Sequence, residues 1–146
     1  MAARVTRADR WSVPIPADAS ALENATMNSG SAGSFDFDAF KRAFTMQDLA
    51  PWIAFFAEDA QWIEYRHGHP PASPRVLSGR AQIAEFLVRV KGSNVTLAIE
   101  DEVVGPTRAA FRVWCTLPDG KRIVEQVIVH HAHGRITRQV DVEAWD

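Results

Sequence analysis

Two carboxylates, an arginine and a carboxamide stand at spacings that could bring them into one site. Glu64 follows Trp62 at a spacing of two, Arg112 precedes Trp114 by two, and Gln126 and Asp141 lie in two later alternating runs. Residues two apart in a strand share a face. These phases predict Trp62, Glu64, Arg112, Trp114, Gln126 and Asp141 around one cavity, a polar set inside an aromatic wall. A carboxylate there can act as a general base when desolvation favours its protonated form, and a nearby Arg112 would oppose that while orienting it. Arg112 and Gln126 could stabilise charge developing on an enolate or alkoxide oxygen. Plainer readings stand beside these: Glu64 with Arg112 as an ion pair holding the sheet, Asp141 as a structural or dimer-edge group, and the indoles as core filling.

His67 and His69 flank Gly68 just after the Glu64 run, and His130, His131 and His133 cluster later. His-x-His without a helical His partner or a cysteine is a weak metal signal, so no metal is expected. His67 or His69 at the cavity mouth could shuttle protons, or simply be solvated loop residues. Cys115 is the only cysteine, which rules out an intramolecular disulfide. Its phase is opposite to that of Trp114, which suits a packed small hydrophobe better than a nucleophile. No Gly-x-Gly-x-x-Gly, Walker loop or Gly-x-Ser-x-Gly string occurs, so no nucleotide cofactor is expected.

The 146 residues, 47% hydrophobic and 23% charged, suit one compact domain. A formal charge of -2 leaves no surplus of cations for nucleic acid or anionic lipid. No secretory apolar stretch follows Arg4, Arg7 and Arg10, and no run reaches the roughly 20 apolar residues of a membrane helix. A cytoplasmic protein without membrane or nucleic-acid partner is expected.

Residues 1–34 read as a flexible extension, with Pro14, Pro16 and a small polar stretch from Ala17 to Ser34. Met27 offers an internal start, and Trp11, Val13 and Ile15 could instead add an edge segment. The domain proper is expected over residues 35–146. Phe37, Phe40, Phe44 and then Leu49, Trp52, Ile53, Phe56 predict two amphipathic helices, with Asp36 and Asp48 as caps. A strand follows at Ala60 to Arg66, a Pro-rich loop at residues 67–78, and a third helix at Gly79 to Lys91 ended by Gly92. Val95 to Val104, Ala109 to Leu117, Arg122 to His131 and Arg135 to Trp145 predict four strands in meander, with Asp119-Gly120 as the clearest hairpin turn. Helices on one face of a curved antiparallel or mixed sheet make an α+β cone with a cavity for a small molecule.

This order resembles the nuclear transport factor 2-like superfamily, including its SnoaL-like members, over residues 35–146. The strings that carry the likeness are Phe56-Ala57-Glu58-Asp59-Ala60, Leu77-Ser78-Gly79-Arg80-Ala81-Gln82-Ile83 through Phe86, and Gly134-Arg135-Ile136 running to Ala144-Trp145-Asp146. The resemblance implies a homodimer paired through the open sheet face, which Val127 and Val129 would suit. Against ketosteroid isomerases it places the general base at Glu64, the oxyanion-binding tyrosine at Phe40 and the protonated aspartate at Gln126. Against limonene epoxide hydrolases it places the water-binding pair at Trp62 and Glu64, and the acid-arginine-acid set at Arg112, Ala110 and Asp141. No cofactor is expected, and a small apolar organic ligand is expected with Phe40, Trp62, Trp114, His67 and His69 around it. The leading expectation is an isomerase, lyase or polyketide-type cyclase with Glu64 as base on a carbonyl compound. A non-catalytic binder, or a hydrolase using Asp141 and Glu64 on water, are the alternatives.

Overall fold

The computed structural model describes residues 33–146. The extension, the Met27 start and the Trp11, Val13, Ile15 segment therefore lie outside the described residues.

Helix α1 (Phe37–Met46) starts where Asp36 accepts a hydrogen bond from the Ala39 amide at 2.9 Å, satisfying one of the free donors of the first turn. Its apolar stripe buries Phe37, Phe40, Ala43 and Phe44. Gln47 closes it in the left-handed region, donating its amide to the carbonyls of Ala43 and Phe44. Asp48 precedes α2 (Leu49–Ala54), although its side chain makes no cap bond. Pro51 is tolerated because the first turn has no acceptors for its amides. The third helix, α3 (Arg80–Gly92), buries Ile83 and Leu87, and Gly92 is its last residue rather than its terminator. Ser93 caps it, and Asn94 takes the left-handed conformation that reverses the chain.

Six strands form one mixed sheet: β1 (Phe56–Tyr65), β2 (Arg75–Ser78), β3 (Thr96–Val104), β4 (Arg108–Thr116), β5 (Arg122–Ala132) and β6 (Arg135–Trp145). Their spatial order is β2-β1-β6-β5-β4-β3. The last four make the expected antiparallel meander, and β1 pairs parallel with β6. The stretch read as a loop over residues 67–78 holds β2 at its end. All three prolines precede Arg75, so four residues remain free to pair as a short sheet edge. Bulges break the register of β1 with β6 between Phe56 and Gln61, of β3 with β4 between Glu100 and Val103, and of β5 with β6 between His130 and His131. Extra residues of this kind bend a sheet, and this one curves beneath the three helices.

The core lies between the helices and the inner sheet face. Ala109, Phe111, Val113 and Cys115 of β4 are buried there, and Phe111 packs edge-on against Phe37 with ring centroids 5.5 Å apart. Val127 and Val129, expected on an exposed dimer face, are instead fully buried. Large apolar residues exposed on the outer face of β5 and β6 are Ile128 and Val142; in β5 an apolar run on both phases leaves the sequence unable to say which side meets the helices. Among the described residues no helix is long and apolar enough to cross a membrane.

Candidate functional site

Strand register assembles a group of acids on the inner face. Glu64 of β1 stands beside Asp141 of β6, and Glu125 of β5 stands opposite Glu143 of β6. Alternation puts Asp141 and Glu143 on the same side. Arg75 of β2 pairs in register with Glu64, and Arg66 follows the end of β1.

All of these side chains except Asp141 border a chamber of about 270 Å³ whose other walls include Phe86 and Val90 of α3, Leu97, Cys115 and Ile123. Glu64, Arg66, Arg75, Glu125, Glu143 and Trp145 supply its polar edge. An inner lobe of about 50 Å³ reaches Phe44, Trp52, Trp62 and Asp141. Outside, Arg66, Glu143 and Trp145 also border an open vestibule of about 560 Å³ that His67 lines.

The four acids differ in their partners. Glu64 is 2% exposed and holds both arginines: Arg66 Nε lies 3.0 Å from its Oε1, and Arg75 pairs with its Oε2. Asp141 is fully buried and accepts hydrogen bonds from Trp62 Nε1 at 2.5 Å and Gln139 Nε2 at 3.1 Å. Burial pushes Asp141 well above the usual carboxylate range even so. Two neutral donors do not replace lost water, and both guanidiniums are engaged by Glu64. Glu125 is also pushed well up, first by burial and then by the charges of Asp141, Glu143 and Glu64. Glu143 is raised to about 7 by burial and then by the charge of Glu64, while the Trp145 indole N–H, 2.6 Å away, pulls the other way. The cavity wall therefore presents one ion-paired carboxylate, two that burial holds towards the protonated form and a fourth, Glu143, raised to about 7.

Of the residues singled out in the sequence, Trp62, Glu64 and Asp141 come together as expected. Arg112, Trp114 and Gln126 do not join them, because β4 and β5 run in the opposite phase. Arg112 reaches Asp101 at 2.8 Å, Trp114 Nε1 donates to Glu100 at 3.0 Å, and Gln126 Nε2 donates to the Phe111 carbonyl at 3.1 Å, all on the outer face. The deciding force is the run Ala109, Phe111, Val113, Cys115, which gains more from helix contact than Arg112 could. Phe40 lies in the core among Phe35, Phe44, Phe55 and Phe111 and borders neither chamber nor lobe. His67 stands at the mouth, whereas His69 exchanges backbone hydrogen bonds with Arg66. Cys115 lines the chamber, its thiol pushed to about 11 by burial and then by Glu125 and Glu143, so it stays protonated. Among the described residues no three His, Cys, Asp or Glu side chains are arranged to hold a metal ion.

Glu125, Glu143, Arg66 and Arg75 were missed. Glu143 was findable, being two residues beyond Asp141 on the same strand. Arg75 was hidden inside the presumed loop, and Glu125 by the inverted phase of β5.

The model of a SnoaL-like domain family matches residues 37–139. No curated protein matches the sequence. Among solved structures, an NTF2-like protein of unknown function from Mesorhizobium loti is 17% identical with a TM-score of 0.65, covering 74% of this chain and 87% of its own. A Kribbella flavida protein provisionally assigned as a ketosteroid isomerase is 21% identical with a TM-score of 0.61, over 75% of this chain and 74% of its own. A SnoaL-like protein of unknown function from Burkholderia thailandensis is 13% identical with a TM-score of 0.56, over 73% and 89%. At these identities the likeness is one of fold.

Proposed function

The chain belongs to the SnoaL-like domain family, and from that premise we propose that its cavity carries out cofactor-independent proton transfer on a small, mostly apolar carbonyl compound. The observation behind this is the grouping of Glu64, Asp141, Glu125 and Glu143 on one apolar wall, with only Glu64 paired to cations. Glu64, the base expected from the sequence, has both oxygens held by guanidiniums and serves as the fixed anion of the site. Glu143 moves the proton, because a group titrating near neutrality is suited to both accepting and returning one. Asp141 and Glu125, kept neutral, donate hydrogen bonds to the enolate oxygen. Proton removal beside a carbonyl, followed by return at another carbon, elimination or ring closure, covers isomerase, lyase and cyclase chemistry. Hydrolysis by Asp141 and Glu64 draws no support from Arg112, which lies on the other face. The chamber is just below the roughly 300 Å³ at which pockets for drug-sized ligands begin, which favours one or two rings.

The test is exchange of ketone α-protons with deuterated water, followed by NMR. The wild type should accelerate exchange of small cyclic ketones, and Glu143→Gln should lose about 100-fold of that. Exchange at the buffer rate across the series, with the ketones bound, would leave a binding protein. The exposed Ile128, Val142 and Val76 suit self-association through the outer sheet face. Light scattering at micromolar concentration should give a dimer mass, and a monomer would refute that part.

A further inference from the structure

Four tryptophans lie among the described residues, and three have their indole N–H on a carboxylate. Trp62 donates to Asp141 at 2.5 Å, Trp114 to Glu100 at 3.0 Å and Trp145 to Glu143 at 2.6 Å. The fourth, Trp52, is 1% exposed, and its N–H meets no acceptor among the described residues. Buried donors are almost always satisfied, because desolvating one without a partner is costly. The Trp52 ring is held against Phe44, centroids 4.9 Å apart, on a helix that closes the inner lobe. Asp141 and Glu125 border the same lobe.

At about 50 Å³ the lobe admits a carbonyl group or a water molecule, and no ring. The adjoining chamber of about 270 Å³ has room for a ring, with apolar walls. We infer that Trp52 Nε1–H is the specificity donor of the site: it binds the carbonyl oxygen of the ligand in the inner lobe, while the apolar body occupies the chamber. The inference rests on the carbonyl-ligand reading above and adds to it an orientation. The oxygen points towards α2, between Trp52 and the neutral acids, and the carbon beside it faces Glu143.

The experiment compares 2-indanone with indane, which has the same shape and no oxygen, by ligand-observed NMR titration. Wild type should prefer the ketone by about tenfold, the worth of one hydrogen bond. Trp52→Phe should bind indane as wild type does and lose the preference. If that variant does not fold, a benzothienylalanine placed at position 52, with sulfur for N–H, makes the same comparison at constant shape. The Trp52 indole proton should shift downfield with 2-indanone and not with indane. A ketone preference that survives loss of the N–H overturns the inference while leaving proton transfer intact. A preference that depends on Trp52 without any α-proton exchange supports the inference and removes the proton-transfer reading. Binding of neither probe overturns both.

Discussion

At the α1 end the inner sheet surface is sealed by Phe35, Phe37, Phe40, Phe44, Phe55 and Phe111, rings in contact at centroid distances of 4.9 to 6.3 Å counting Trp52. At the ends of β1, β4 and β6 and the starts of β3 and β5, the same surface carries Glu64, Glu125, Asp141 and Glu143 around a chamber and its inner lobe. The first region is built from α1 with Phe35 and Phe55 against Phe111 of β4, the second from β1, β5 and β6. The contrast teaches that close packing and the acid-lined cavity occupy separate ends of one layer. Close packing at the first end gives the sheet enough stabilisation to bear acids at the second, each of which costs free energy to bury.

That division can be broken or sharpened. The largest effect is expected from Phe40→Ala, which empties the centre of the aromatic end. Urea unfolding should show a loss of about 3–5 kcal/mol, with ligand binding per folded molecule unchanged. Next is Asp141→Ala, which strands the N–H groups of Trp62 and Gln139 and should cost about 1–3 kcal/mol. Asp141→Asn should cost less, since it keeps an acceptor for Trp62 Nε1. A smaller effect follows from Glu143→Gln and is a matter of pH. Glu143 is raised from 4.5 to about 7 on folding, so between those values the folded protein holds the extra proton. The contribution of Glu143 to stability should then fall as pH rises through that window and level off above it. The variant should show a flatter profile and be the more stable protein at pH 8. The smallest change is expected from Arg112→Ala, an exposed pair with Asp101 worth about 0–1 kcal/mol. A loss of cavity binding in this variant would contradict its place on the outer face.

The sequence made the fold legible nearly throughout, because helical spacing in Phe37, Phe40, Phe44 and the Asp119-Gly120 turn are local signals. It failed at β2, where three prolines masked a four-residue edge, and at the start of β1, where a bulge interrupts alternation. For the site it yielded Trp62 and Glu64 from the alternation at the end of β1, and Asp141 from the polar phase of β6, whose apolar neighbour Val142 faces outward. It lost Glu125 and misplaced Arg112, Trp114 and Gln126. In β5 both phases are apolar, with Ile123, Val127, Val129 on one and Val124, Ile128 on the other, and polar residues on each. Only the docking of α1 onto Phe111 decides between them, and that contact is not encoded in alternation.

The parallel seam between β1 and β6 joins the first strand of the described domain to the last. Trp62 and Asp141, 79 residues apart, meet only across it. Contacts of such separation form slowly, after the meander of β3 to β6 has closed its local hairpins. The cavity is thus expected to be completed late in folding, when β1 brings Glu64 and Trp62 to the Asp141, Glu143 and Glu125 of the meander. Recovery of ligand binding during refolding should therefore lag behind recovery of sheet signal, which makes occupancy of the cavity a timer for the completed chain topology.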